Sequence, residues 1–273
     1  MIATYRLQLK PDFGFAHVEA LLPYFRRLGV SHLYLSPVTG APAESLHGYD
    51  VTDHNSIREE FGGREGLESL RRGALEAGLG IILDWVPNHS GVGPQNEEWQ
   101  DLLAFGPHSP HSRTFDVNWN PPEPGLRGKL LIPFLGKPYG EVLADDELTV
   151  VYEEGNFYAA YYENRFRLSP ASYPRILERA LPTLERREGY FDLLELLESY
   201  RQLGPEERDR ALALGARLQQ LLQRLEPESA FAGLRGPQLH ELLEEQWWRL
   251  AYWKTAGDEI NYRRFFDVNG LVA

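Results

Sequence analysis

The sequence predicts an α/β fold built on parallel strands. Over residues 1–90, short apolar runs alternate with segments of helical periodicity, giving β-α-β-α-β. The run Gly80–Val86 (GIILDWV) is almost continuously apolar, the pattern of a parallel strand buried on both faces. Polar clusters follow directly on the second and third strands, and ligands bind at that end of parallel sheets and barrels.

Thr4–Leu9 reads as the first strand. His17–Leu28 follows as a helix, because Val18, Leu21, Leu22, Phe25 and Leu28 recur at helical spacing. Ser31–Ser36 (SHLYLS) reads as a buried strand. Glu65–Ala77 is a second helix, closed by Gly78, and Gly80–Val86 is the third strand. Residues 90–145 are dense in Gly, Pro, Asn and Trp and read as long ordered loops. Leu148–Tyr152 and Phe157–Tyr162 flank a Glu-Gly-Asn turn and form a hairpin. From Tyr173 to Glu226 the chain turns to Leu, Glu and Arg at helical period, punctuated by Pro182, Gly189 and Gly204-Pro205. An amphipathic helical hairpin and a partner-binding coiled coil both account for that stretch, with the hairpin favoured. Pro237–Thr255 reads as one more helix, carrying Trp247, Trp248, Tyr252 and Trp253.

Composition narrows the function. The 273 residues are 42% hydrophobic and 25% charged, which excludes disordered, collagen-like and low-complexity chains. The formal charge of −12 repels phosphate backbones and anionic membranes, so the expectation is no nucleic acid, no membrane and a neutral ligand. With no cysteine, disulfides, thiolate catalysis and Cys-ligated zinc are out. The eight His show no H-x-x-x-H spacing, so no metal and no other cofactor is expected. MIATYRLQLK lacks an apolar targeting core and no run approaches membrane-span length, giving a cytoplasmic expectation.

Two clusters carry the chemistry. Asp84-Trp85-Val86-Pro87-Asn88-His89 ends the third strand, with an acceptor, a mixed donor and acceptor, and a donor emerging together. That is hydroxyl-recognition chemistry, although a strand-end turn with local side-chain caps gives the same pattern. His47-Gly48-Tyr49-Asp50 follows the second strand. Gly48 permits a sharp bend, Tyr49 offers a flat face with a hydroxyl handle, and His47 and Asp50 add hydrogen-bonding groups. HGYD alone is a weak signal. Two such clusters on successive strand ends reinforce one another.

With HGYD and DWVPNH in this order, the chain resembles the α-amylase superfamily of glycoside hydrolases. SHLYLSP, residues 99–119 (WQDLLAFGPHSPHSRTFDVNW) and residues 258–269 (DEINYRRFFDVN) make it most similar to the maltooligosyl trehalose synthases within that superfamily. The resemblance implies a (β/α)8 TIM barrel of which this chain holds an N-terminal part only, about three β/α units, with a large, mostly helical insertion after the third strand. It implies barrel units at 1–89, an insertion domain at 90–262 and a return to the barrel at 263–273. The implied reaction is intramolecular transglucosylation, converting the reducing-end α-1,4 linkage of a maltooligosaccharide to α,α-1,1. The implied sugar contacts are His47, Tyr49, Asp50, Asn88, His89 and Arg263, with Tyr49 stacking on the ring and Asp84 holding the strand end in shape.

That chemistry needs two carboxyl groups, ~5 Å apart in retaining enzymes. The family keeps them at the ends of later strands, and no segment here resembles those. The expectation is therefore no catalytic carboxylate within this chain, with the remainder of the barrel supplied by the same or another polypeptide. An α-glucan hydrolase or transferase of the same superfamily, and a noncatalytic maltooligosaccharide-binding remnant, stand as alternatives.

Overall fold

The structure is a computed structural model that describes residues 2–184, 189–225, 233–265 and 270–273. It divides into two compact units, Met1–Asn96 with Gly270–Ala273, and Glu97–Asn269.

In the first unit β1 (Thr4–Leu7) leads to two short helices, α1 (Phe15–Ala20) and α2 (Leu22–Leu28), rather than the single helix expected. Pro23 sits in the first turn of α2 and lacks the N–H that a continuous helix would donate to residue 19. Leu21, the junction residue, is 37% exposed and Leu28 is 49% exposed, so both leave the predicted apolar stripe. Next come β2 (His32–Leu35), the small antiparallel pair β3 (Thr39–Gly40) and β4 (Asp53–Ile57), α3 (Gly63–Glu76) and β5 (Gly80–Leu83). The sheet has the order β1-β2-β5, and all its pairs are parallel.

Register places Leu7, Leu35 and Leu83 level across the sheet, so the three strands end together. Leu7, Leu33 and Leu35 point into a core shared with Phe15, Val18, Leu22, Phe25, Leu70 and Ala74 from the helices. Side chains alternate along a strand. Arg6, Tyr34 and Ile82 therefore share the opposite face, where no described helix of this unit covers them and all three stay at least partly exposed. β5 corrects the expectation of a strand buried on both faces, because Gly80, Ile81 and Ile82 are half-buried and Leu83 is exposed. It is an edge strand packed on one side only. After it, β6 (Ser90–Gly91) pairs antiparallel with Leu271–Val272.

The second unit departs most from the sequence reading. Residues 90–145 are not all loop: they hold α4 (Glu97–Phe105), β7 (Leu130–Leu135) and α5 (Tyr139–Ala144). The hairpin forms as β8 (Leu148–Glu153) and β9 (Asn156–Tyr161), and β10 (Asn164–Arg167) extends it to three antiparallel strands. The Leu/Glu/Arg stretch folds as α6 (Tyr173–Leu184), α7 (Tyr190–Arg201) and α8 (Arg208–Leu225). Pro182 lies inside α6, while Gly189, at φ 90°, starts α7. Glu226 and the segment 266–269 of the DEINYRRFFDVN motif lie outside the described residues.

The helix expected over Pro237–Thr255 is half helix and half strand. α9 (Gly236–Glu244) stops, and β11 (Trp248–Tyr252) pairs in parallel with β7. Buried Gln246 makes the break: it donates to the Leu242 carbonyl at 2.6 Å and accepts from the Ser169 N–H at 2.7 Å. Trp248 and Leu250 then face inward with Arg249 between them, a period of two. No described helix is long and apolar enough to cross a membrane.

Candidate functional site

The level strand ends of the first unit carry the candidate site. One residue past Leu83, the Asp84 N–H still donates to the Leu35 carbonyl at 3.0 Å, so its carboxylate is set on the sheet edge. That carboxylate is the hub. The Tyr49 hydroxyl donates to Asp84 Oδ2 at 2.6 Å and accepts from Arg6 Nη2 at 3.2 Å. Arg6 Nη2 also lies 3.8 Å from Asp84 Oδ2, and its guanidinium stands over the Tyr34 ring at 5.6 Å. A hydrogen bond from Tyr34 to Asp84 is the main cause that holds the Tyr34 phenol above its ordinary pKa. Arg6 and Tyr34, on the uncovered face of β1 and β2, thus join residues from two loops.

The HGYD loop is held from below. Gly48 turns at φ +75°, and a Cβ there would come within 3.0 Å of the Pro37 carbonyl oxygen. Its N–H donates to Ser45 Oγ at 3.1 Å, and Ser45 in turn donates to Asp50 Oδ1. Buried Arg58 donates to the Ser45 carbonyl at 3.0 Å and stacks over Phe61 at 4.5 Å. Gln8 reaches across from the end of β1 to the Leu46 carbonyl at 3.1 Å.

Hydrogen bonding fixes the histidines. The Tyr49 N–H donates to His47 Nδ1 at 3.0 Å, so that nitrogen carries a lone pair and the neutral ring holds its proton on Nε2. In that form the 3.6 Å approach of His47 Nδ1 to Asp50 Oδ1 is no ion pair. The two rings are stacked, with centroids 6.0 Å apart. His89 is buried, and its Nε2 lies 2.9 Å from the Tyr49 carbonyl, which can only accept. One hydrogen bond therefore ties the loop after β5 to the loop after β2. Tyr49 is 37% exposed, Trp85 58%, and Asn88 is exposed in its loop.

The structure thus brings His47, Tyr49, Asp50, Asp84 and His89 into one hydrogen-bonded strand-end cluster. Asn88 adjoins it in sequence and makes no hydrogen bond among the described residues. Arg263 belongs to the second unit, where its N–H donates to the Asp116 carbonyl at 3.0 Å and its guanidinium lies 3.7 Å from the Asp116 carboxylate. The sequence reading missed Arg6, Gln8, Tyr34, Ser45 and Arg58. Arg6 and Tyr34 stand at strand positions whose side chains point away from the core, and nothing local in the sequence distinguishes them from ordinary strand residues. Among the described residues, no group of three or more His, Asp or Glu is placed to hold a metal ion.

Known proteins locate this architecture. The model of the alpha amylase catalytic domain matches residues 16–125. A putative maltooligosyl trehalose synthase of Mycobacterium tuberculosis is 44% identical over 143 residues, 50% of this chain and 18% of that protein. A 1,4-alpha-glucan branching enzyme of Rhizobium radiobacter is 32% identical over 100 residues, 37% of this chain and 14% of the enzyme. Among solved structures, a DSM5389 glycosyltrehalose synthase superposes with TM-score 0.69 at 31% identity, covering 100% of this chain and 29% of that one. The maltooligosyltrehalose synthase from Arthrobacter ramosus gives 0.67 at 30%, covering 100% and 27%. The chain therefore spans less than a third of the length of these relatives. The chain thus matches the alpha amylase catalytic domain over residues 16–125, and the solved structures it resembles along its whole length are those of maltooligosyl trehalose synthases, whose relatives are TIM-barrel enzymes of the alpha-amylase family.

Proposed function

We propose that residues 1–89 supply the first three β/α units of a glucan-processing barrel, residues 90–262 an insertion, and residues 263–273 the return to the barrel. The reaction is intramolecular transglucosylation, turning the reducing-end α-1,4 linkage of a maltooligosaccharide into α,α-1,1 in the cytoplasm. The observation that carries this reading is the strand-end cluster: Tyr49, Asp84 and Arg6 interlocked, with His89 bonded to the Tyr49 backbone. Such a cluster suits a sugar ring, because an exposed aromatic face lies beside fixed donors and acceptors.

His47, Tyr49, Asp50, Asn88 and His89 contact substrate in this reading, and Asp84 fixes the Tyr49 ring. The nucleophile and the acid/base come from polypeptide beyond these residues. A carboxylate attacks the anomeric carbon of the penultimate sugar while a carboxylic acid protonates the departing glucose. The freed glucose then attacks the glycosyl-enzyme through its own anomeric hydroxyl, giving up that proton to the same group. The carboxylate leaves and the α,α-1,1 bond forms. A pocket that excludes water favours transfer over hydrolysis.

The test is proton NMR of the protein purified from its source, incubated with maltopentaose. Loss of reducing-end anomeric signal without matching glucose release is expected. A rise in reducing ends would instead identify a hydrolase of the same superfamily. Saturable binding with no turnover would leave a noncatalytic binding protein. His89→Ala is expected to lower turnover, and an unchanged rate would remove His89 from the site.

A further inference from the structure

The second unit contains a cavity of about 390 Å³ at the junction of α9, β11 and the turn 123–126, with no role in the function proposed above. That volume lies toward the lower end of small-molecule sites, ~300–1,000 Å³. Leu126, Leu131 and Leu250 line it, each buried, giving it an apolar floor. The rim is polar and mixed. Arg249 pairs with Glu244 through Nη2, while its Nη1 stands beside the rim residue Gly125. Glu123 and Glu259 add carboxylates. On the same wall the Tyr139 hydroxyl lies 3.0 Å from His240 Nδ1. Burial pushes the Tyr139 phenol up to about 12, so it stays a neutral hydroxyl.

These features select a chemical class. Three carboxylates against one guanidinium repel an anion. A simple cation would face the Arg249 guanidinium and has no oxygen to offer its Nη1, which stands at the rim beside Gly125. A neutral ligand whose hydroxyls accept from Arg249, donate to the glutamates and lay a C–H face on the leucines satisfies every wall. We propose that this cavity binds a short neutral saccharide of one or two rings.

Maltose is the probe, a choice that rests on the function proposed above. Titrated into the 15N-labelled 273-residue chain, it is expected to shift the amides of Gly125, Arg249 and Leu250 saturably. Arg249→Met is expected to weaken binding by about tenfold to a hundredfold, the range for losing a hydrogen bond to a charged group. Because that change also breaks the pair with Glu244, a second variant leaves the charges alone. Gly125 is exposed on the rim, and a Cβ there would point within 3.2 Å of Arg249 Nη1, so Gly125→Phe places a ring over the mouth. It is expected to abolish the cavity shifts with unchanged circular dichroism. No saturable shift at the three cavity amides overturns the inference, as does binding that survives Gly125→Phe in a folded protein. Shifts confined to Tyr49 and His89 overturn it too, while leaving the strand-end reading intact.

Discussion

Tyr49→Phe separates the two jobs of one ring. The substitution keeps the aromatic face and removes only the oxygen that donates to Asp84 at 2.6 Å and accepts from Arg6 at 3.2 Å. A hydrogen bond to a charged acceptor contributes ~1.5–3 kcal/mol when buried. The Asp84 side chain is only 14% exposed, so the lost donor is not fully replaced by water. Tyr49 itself is 37% exposed and the Arg6 side chain 41%, so solvent screens the rest of the triad. The lower end applies, about 1.5 kcal/mol. Urea unfolding followed through the amide signals of β1, β2 and β5 reads this loss locally. Faster amide exchange in His47–Asp50 is expected alongside it. A change below about 0.5 kcal/mol, within the range of ordinary surface substitutions, would show that the triad does not hold the loop. The ring would then act in ligand contact alone.

Gly48→Ala places a Cβ on a residue at φ +75° and within 3.0 Å of the Pro37 carbonyl, and about 1–2 kcal/mol of destabilisation is expected in thermal unfolding. The Tyr34 phenol should ionise above its ordinary 10.0 in a spectrophotometric titration, and Asp84→Asn should bring it back down. Because the folded-state value is the raised one, this contribution is fully present below pH 10.0 and disappears as pH climbs through the folded-state value. A Tyr34 that titrates identically in Asp84→Asn would refute the contact. In the second unit the Asp101 carboxylate, 6% exposed, accepts from Ser109 at 2.6 Å and Arg208 at 2.7 Å. Arg208→Met leaves that buried charge without its cation and should cost about 3–5 kcal/mol in chemical denaturation.

How much of this was legible depended on periodicity. β2, α3 and the Leu/Glu/Arg helices bury one side more than the other, so their spacing announced them. α4 did not, because Trp99 through Phe105 are all buried, including Gln100 and Asp101, and a helix covered on every side has no polar face to betray it. β11 was misread as helix although Trp248-Arg249-Leu250 alternates, because its partner strand lies far back in the sequence. At the site, His47, Tyr49, Asp50, Asp84 and His89 stood out as strand-end polar residues. Arg6 and Tyr34 looked like ordinary strand residues until register set them on the uncovered face beside Asp84. Nothing local to Arg58 or Ser45 reveals that they brace a loop through a backbone carbonyl.

The pairing of β7 with β11 also imposes an order of events on the ribosome. Leu130 meets Trp248, and every residue of the meander and of α6 to α9 is translated between them. At ~5–20 residues per second, β7 waits on the order of ten seconds for its neighbour. During that interval LLIPFL, five of whose six residues end fully buried, is an unpaired apolar strand of the kind chaperones bind. Synthesis speed through the intervening helices, rather than the strength of the finished contact, thus sets how long the nascent chain is open to misassociation.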